Sequence, residues 1–189
     1  MSEKVNTREI ILQTASRLFQ LQGYHATGLN QIIKESGSPK GSLYYHFPQG
    51  KEELAIEAVN YTSEMIQLNI RKILSKINDP VDAIQTMIQD LASQFSSFES
   101  IQGIPIGLIA VETSLVNENI RKACEDAFDD WQNLVGEKLI ENGFSIARAK
   151  QLAGVTIAMI EGALILSLTK KSNKPLLDIS EQIPLLIQA

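Results

Sequence analysis

The chain has 189 residues, 44% of them hydrophobic and 21% charged, which excludes a disordered polymer and allows one or two small domains around a real core. Its single cysteine, Cys124, excludes an intrachain disulfide and favours a reducing, cytoplasmic setting. The net charge of −5 conceals a contrast, because residues 1–51 carry +3 and residues 52–189 carry −8, as expected of a basic head that meets a polyanion and an acidic body that does not.

Helical periodicity recurs along almost the whole sequence, and no stretch alternates like a strand, so the predicted class is all-α. The opening MSEKVNTRE is polar, and no signal peptide is expected. A first helix runs from about Thr7 to Gln22, buries Ile11, Ala15, Leu18 and Phe19, and stops at Gly23. A short second helix starts with Thr27 as its N-cap, buries Leu29, Ile32 and Ile33, and ends at Gly37. Ser38 and Pro39 open a third helix that lasts to Phe47, closed by Pro48 and Gly50.

A long helix follows from Lys51 to about Ile77, with Leu54, Ala58, Tyr61, Met65 and Leu68 on one stripe. Asp79-Pro80 opens the next, with Val81, Ile84, Ile88, Leu91, Phe95 and Phe98 on its apolar side, and SFESIQGIP (97–105) interrupts it. A short apolar helix reaches Leu115. Asn117 caps another that carries Ile120, Cys124, Ala127, Trp131 and Leu134 on one side and ends by Gly143. Residues 146–170 are apolar nearly all round, approaching membrane-span length, but Glu161 near the middle favours a helix buried between protein helices. A last helix spans about 175–188.

The second and third helices, joined by a tight turn at Gly37, form a helix-turn-helix. In that motif the second helix enters the major groove and the earlier one crosses the backbone. The third helix then presents Lys40, Ser42, Tyr44, Tyr45 and His46, and Gly41 lets the backbone approach closely. Thr27 and Ser38 are placed as caps and phosphate donors, and Lys51 as a backbone contact. Leu43 and Phe47, four residues apart, face inward. Adjacent Tyr44 and Tyr45 point about 100° apart, so one packing face cannot bury both.

The stretch TREIILQTASRLFQLQGYHATGLNQIIKESGSPKGSLYYHFPQGKEEL resembles the N-terminal domain of TetR-family transcriptional repressors. The likeness rests on the spacing of Ala15, Phe19, Gly23 and Tyr24, on Thr27, Leu29 and Ile32, on Gly37, and on KGSLYYHF followed by KEEL. It implies double-stranded operator DNA as a partner, contacted by Thr27, Ser38, Lys40, Gly41, Ser42, Tyr44, Tyr45, His46 and Lys51. Two departures, Ser38-Pro39 after the turn glycine and three residues (PQG) between Phe47 and Lys51, look like the LmrA/YxaF-like branch. Members of that branch resemble repressors of drug-export or aromatic-compound genes.

The resemblance further implies that residues 1–51 form the DNA-binding domain and residues 52–189 a helical ligand-binding and dimerisation domain. That body holds no nucleophile elbow, dinucleotide fingerprint or metal-ligand spacing, so no enzyme, metal or cofactor is expected. Tyr61, Met65, Phe95, Phe98, Trp131 and Met159 are candidates to line a pocket for a small effector, with Glu112 orienting it. Ala153, Gly154, Ala158, Gly162 and Ala163 are candidates for close helix approach in a homodimer. The expected function is a homodimeric, ligand-responsive repressor on a near-palindromic operator, released by a small apolar or aromatic inducer. The alternative is a helical protein-interaction module whose helix-turn-helix is only structural.

Overall fold

A computed structural model describes residues 6–95 and 106–187, and among these the secondary structure is helical throughout. In chain order the helices are α1 (Thr7–Ala26), α2 (Leu29–Ser36), α3 (Lys40–His46), α4 (Lys51–Leu74), α5 (Pro80–Gln94), α6 (Gly107–Thr113), α7 (Glu118–Glu141), α8 (Ile146–Lys170) and α9 (Lys174–Leu186). Phe98 and the expected break at 97–105 lie outside the described residues. The chain divides into two compact units, one running to Glu64 and including α6 with α7 as far as Ala127, the other taking the rest.

The first unit is built on α1. Asn6 caps it, its side chain accepting the amide of Arg8, and Ile11, Leu12, Ala15, Leu18 and Phe19 are buried along one side. Gly23 does not simply end this helix: it breaks it, at φ 79° and ψ 176°, and a further turn continues to Ala26. Positive φ of this kind suits glycine. A buried polar cluster ties α1 to α4, with the hydroxyls of Ser16 and Thr62 2.7 Å apart and the Gln20 amide donating to both. Arg8 pairs with Glu57 on α4 and Arg17 with Glu35 on α2. These exposed pairs orient the helices and contribute little energy.

Thr27 does not cap α2, as its sequence position suggests. Gly28 takes the flanking position without a side-chain bond, while Thr27 is fully buried and its hydroxyl donates to the carbonyls of Gly23 (2.7 Å) and Leu18 (3.3 Å). Those two bonds turn the Thr27 hydroxyl back onto α1 and away from the amides of α2, which explains the difference. Gly37 ends α2 in the left-handed region, φ 64° and ψ 14°, as C-terminal glycines commonly do.

In the second unit α5 packs against α9, and α9 against α8. Asp79 caps α5 by accepting the amides of Val81 and Asp82, with Pro80 in the first turn. The Gln85 side chain donates to the Ser180 carbonyl (2.9 Å), and Asn69 on α4 donates to Asp90 (2.9 Å). Met65 and Leu68, expected on a buried stripe, are exposed. α7 and α8 meet at small residues: a Cβ added to Gly136 would stand 3.9 Å from that of Ala153. α8 is long and apolar enough to cross a membrane by length and composition, and 44% of its most apolar window is buried inside the chain.

Candidate nucleic-acid interface

The turn between α2 and α3 is compact. Past Gly37, the Ser38 amide donates to the Ser36 hydroxyl (3.3 Å), Pro39 precedes the first turn of α3 in an extended conformation, and the Ser42 amide returns to the Pro39 carbonyl (2.9 Å). Ser38 is largely buried and its hydroxyl is not an N-cap here, since α3 begins from Pro39 without a side-chain bond. Proline lacks an N–H and fixes φ, so it starts the helix unaided.

α3 is only seven residues long and could not hold itself in water. It is held by two side chains one turn apart, Leu43 and Phe47, both without exposed surface. The guanidinium of Arg8 covers the Phe47 ring at 5.2 Å. Turning those two inward turns the rest out. Tyr45 is 81% exposed and Tyr44 44%, and Lys40 and Gly41 are also exposed, with Ser42 and His46 half-buried at the margins. The Tyr45 and His46 rings meet edge to face at 5.0 Å, and the Lys40 ammonium lies 6.0 Å from the Tyr44 ring. Nothing lies within 4 Å of the space a Gly41 side chain would fill. One short face thus offers an ammonium, two phenols, a hydroxyl, an imidazole and bare backbone, chemistry suited to phosphates and to base edges.

Three other residues expected at the interface stand differently. Thr27 has both its hydroxyl and its amide engaged within the chain, the amide on the Tyr24 carbonyl at 3.3 Å, so it orders the segment before α2 and is not a free phosphate donor. Ser38 is packed into the turn. Lys51 is partly buried, its ammonium 4.4 Å above the Tyr24 ring; burial lowers its pKa, and the charge of Glu112 opposes that shift. The cation–π contact holds the ammonium over the Tyr24 ring and leaves it partly exposed. In the sequence Tyr24 is visible only as part of a spacing pattern, and its place under Lys51 has no signal there beyond an aromatic beside a glycine.

The body candidates differ in exposure. Phe95 and Trp131 are buried, Met159 is half-buried and Met65 is exposed. Tyr61 borders a polar cleft of about 370 Å³ shared with Arg8, Glu57 and Glu64. The Trp131 ring stands perpendicular to Phe128 at 5.4 Å, and its buried indole N–H has no acceptor among the described residues. Glu112 is turned to α1, where it accepts the His25 amide. Cys124 is buried, and desolvation pushes its thiol up to about 11, far from the thiolate that redox chemistry needs. The expected stripe of small residues on α8 divides: Ala153 and Ala163 are buried within the chain, Gly154 is half-buried against Gln132, and Ala158 and Gly162 are exposed. Residues 153 and 163 lie about 80° apart around α8, and both fall on its covered side.

A three-helix head that buries its short third helix by two anchors and leaves the polar face open, followed by an all-helical body, defines a helix-turn-helix transcriptional regulator that binds double-stranded DNA. The chain belongs to the TetR family: residues 11–58 match the bacterial regulatory proteins of that family, and residues 80–182 match the C-terminal domain of LmrA/YxaF-like transcriptional regulators. It is 55% identical to the HTH-type transcriptional regulator YxaF of Bacillus subtilis strain 168 over all of this chain and 98% of that one. Identity to the regulator LmrA of the same strain is 54% over 97% of each chain. Among solved structures, the reduced form of E. coli NemR superposes with a TM-score of 0.83 at 25% identity, covering 96% of this chain and 97% of that one. CifR bound to a 26-base-pair operator shares the fold, with a TM-score of 0.79 at 20% identity over 93% of each chain. Both matched families are regulators, not enzymes.

Proposed function

We propose that the chain is a cytoplasmic, homodimeric repressor that occupies a near-palindromic operator and leaves it when a small apolar or aromatic inducer binds. In this reading residues 1–51 are the DNA-binding domain and residues 52–189 the ligand-binding and dimerisation domain. Lys40, Gly41, Ser42, Tyr44, Tyr45 and His46 read the groove, while Thr27, Ser38 and Lys51 hold the motif in place. The observation that carries the reading is Tyr45, a large ring exposed beside His46 on a helix whose other side is fully buried. A ring left 81% exposed on so short a helix contributes little to packing and suits a groove. The indole N–H of Trp131, buried without a partner among the described residues, supports an effector that carries a hydrogen-bond acceptor. Such a ligand need favour the DNA-free arrangement by only about 1–3 kcal/mol to lower operator affinity roughly 5- to 150-fold.

The test begins by selecting random DNA duplexes on the full chain. Tyr45→Ala should weaken binding to the selected duplex by about 5- to 150-fold, equivalent to one good base contact. Lys40→Ala should weaken all sequences and flatten the dependence on log salt by about one unit. Unchanged affinity in both variants would remove α3 from the groove.

A further inference from the structure

Glu112 was expected beside a ligand, yet its carboxylate meets the broken end of α1. We propose that Glu112 is a positioning residue for DNA recognition, a clasp from α6 that holds the Gly23 break and through it the helix-turn-helix. The inference rests on the operator-binding reading above and assigns within it a residue that makes no DNA contact.

Three observations within the first unit converge. The amide of His25, two residues past the break, donates to Glu112 Oε2 at 3.0 Å, across 87 residues of sequence. Gly23 leaves the space the carboxylate needs, since a Cβ there would stand 2.6 Å from Glu112 Cδ. The Lys51 ammonium, held over the Tyr24 ring, feels the Glu112 charge. Gly23 suits the clasp twice: its φ of 79° favours glycine, and its bare Cα leaves room for a carboxylate that a Cβ would push aside.

The clasp has a clear route to α3. From the other side, Thr27 ties the same segment back through its bonds to Gly23 and Leu18. Gly28 and α2 follow at once, so four residues pinned at both ends set the direction in which α2 leaves α1. The helix after the next turn is α3. The contact is at the surface, where water can replace a lost acceptor, so its removal loosens the segment without unfolding the core.

The experiment uses the full chain and a duplex selected by the wild type from random sequence, with a scrambled duplex as reference. Glu112→Ala should lose on the order of tenfold in preference for the selected duplex, with a melting temperature close to wild type and faster hydrogen exchange at the His25 amide. Glu112→Gln keeps an oxygen acceptor and should restore both the preference and the protection. If Glu112→Ala does not fold, Glu112→Asp, one methylene too short to reach, must show the same loss. Three results would overturn the assignment: wild-type preference in the Ala or Asp variant, equal losses in Gln and Ala, or a fall that affects both duplexes alike and follows the melting temperature. A wild-type chain that selects no sequence at all would instead remove the regulator reading on which the clasp rests.

Discussion

Glu161 lies midway along α8 among apolar neighbours, and burial pushes its carboxyl up to about 7. The folded chain therefore holds this proton more tightly than the unfolded chain, whose carboxyl titrates near 4.5. For an acid shifted upward, folding is favoured at low pH, and stability is lost as pH rises from about 4.5 through about 7. The full difference is about 3 kcal/mol at most. Glu161→Gln removes the proton equilibrium while keeping the shape. It should be more stable than wild type at pH 8, nearly equal at pH 4.5, and flatter between, as read by denaturant midpoints at one protein concentration. An unchanged pH slope in the Gln variant would place the ionised carboxylate in a well-solvated site. Sequence shows the acid in an apolar run, but whether such a group is buried depends on which side of the helix its neighbours cover.

Helix ends were legible because their signals are local. Asp79-Pro80, Asn117 and Gly37 each act on the backbone within three residues, and α5, α7 and α2 begin or end there. Thr27 fails as a cap because its hydroxyl reaches back to carbonyls four and nine residues earlier, beyond the span of a cap signal. Glu112 was illegible for the same kind of reason: its partner is 87 residues away. The stripe of α4 was also overextended, because a 4-3 pattern marks one side of a helix without marking where the covering elements stop. At this scale α3 makes the sharpest prediction, because its two sides do different work. Leu43→Ala removes an anchor with no exposed surface and should cost about 2–5 kcal/mol of stability. DNA binding would fall with it and be restored by conditions that refold the chain. Tyr45→Ala should leave the melting temperature within a degree or two of wild type, since exposed substitutions rarely exceed about 0.5 kcal/mol. Losing DNA binding at constant stability separates a reading side from a packing side. Equal loss of stability in both variants would refute that separation.

For the proposed homodimer, the quantity at stake is the spacing of two heads. One three-helix head reads few base pairs, and two heads on successive major grooves must sit roughly 34–36 Å apart. A suitable seam is left open on the second unit. Val155, Ala158, Gly162 and Ile165 are exposed on α8 at intervals of three, four and three residues, with Leu166 beside them. That is the heptad spacing of a helix–helix seam, and the small pair at its centre permits close approach of a second copy. The buried Ala153 and Ala163 are not part of it. Across a two-fold axis each residue near the axis meets its own copy, so Ile165→Glu would set two carboxylates against each other in a desolvated seam. The variant should sediment as a monomer at concentrations where wild type is a dimer, and its affinity for a full operator should fall to that for a half-site. Leu115 supplies the control. It is 97% exposed on the first unit, well away from this seam in sequence, and Leu115→Glu should leave both mass and operator affinity unchanged. A dimer that survives Ile165→Glu but not Leu115→Glu would move the interface to the other unit. If both variants stay dimeric with full affinity, neither exposed apolar surface sets the distance between the heads.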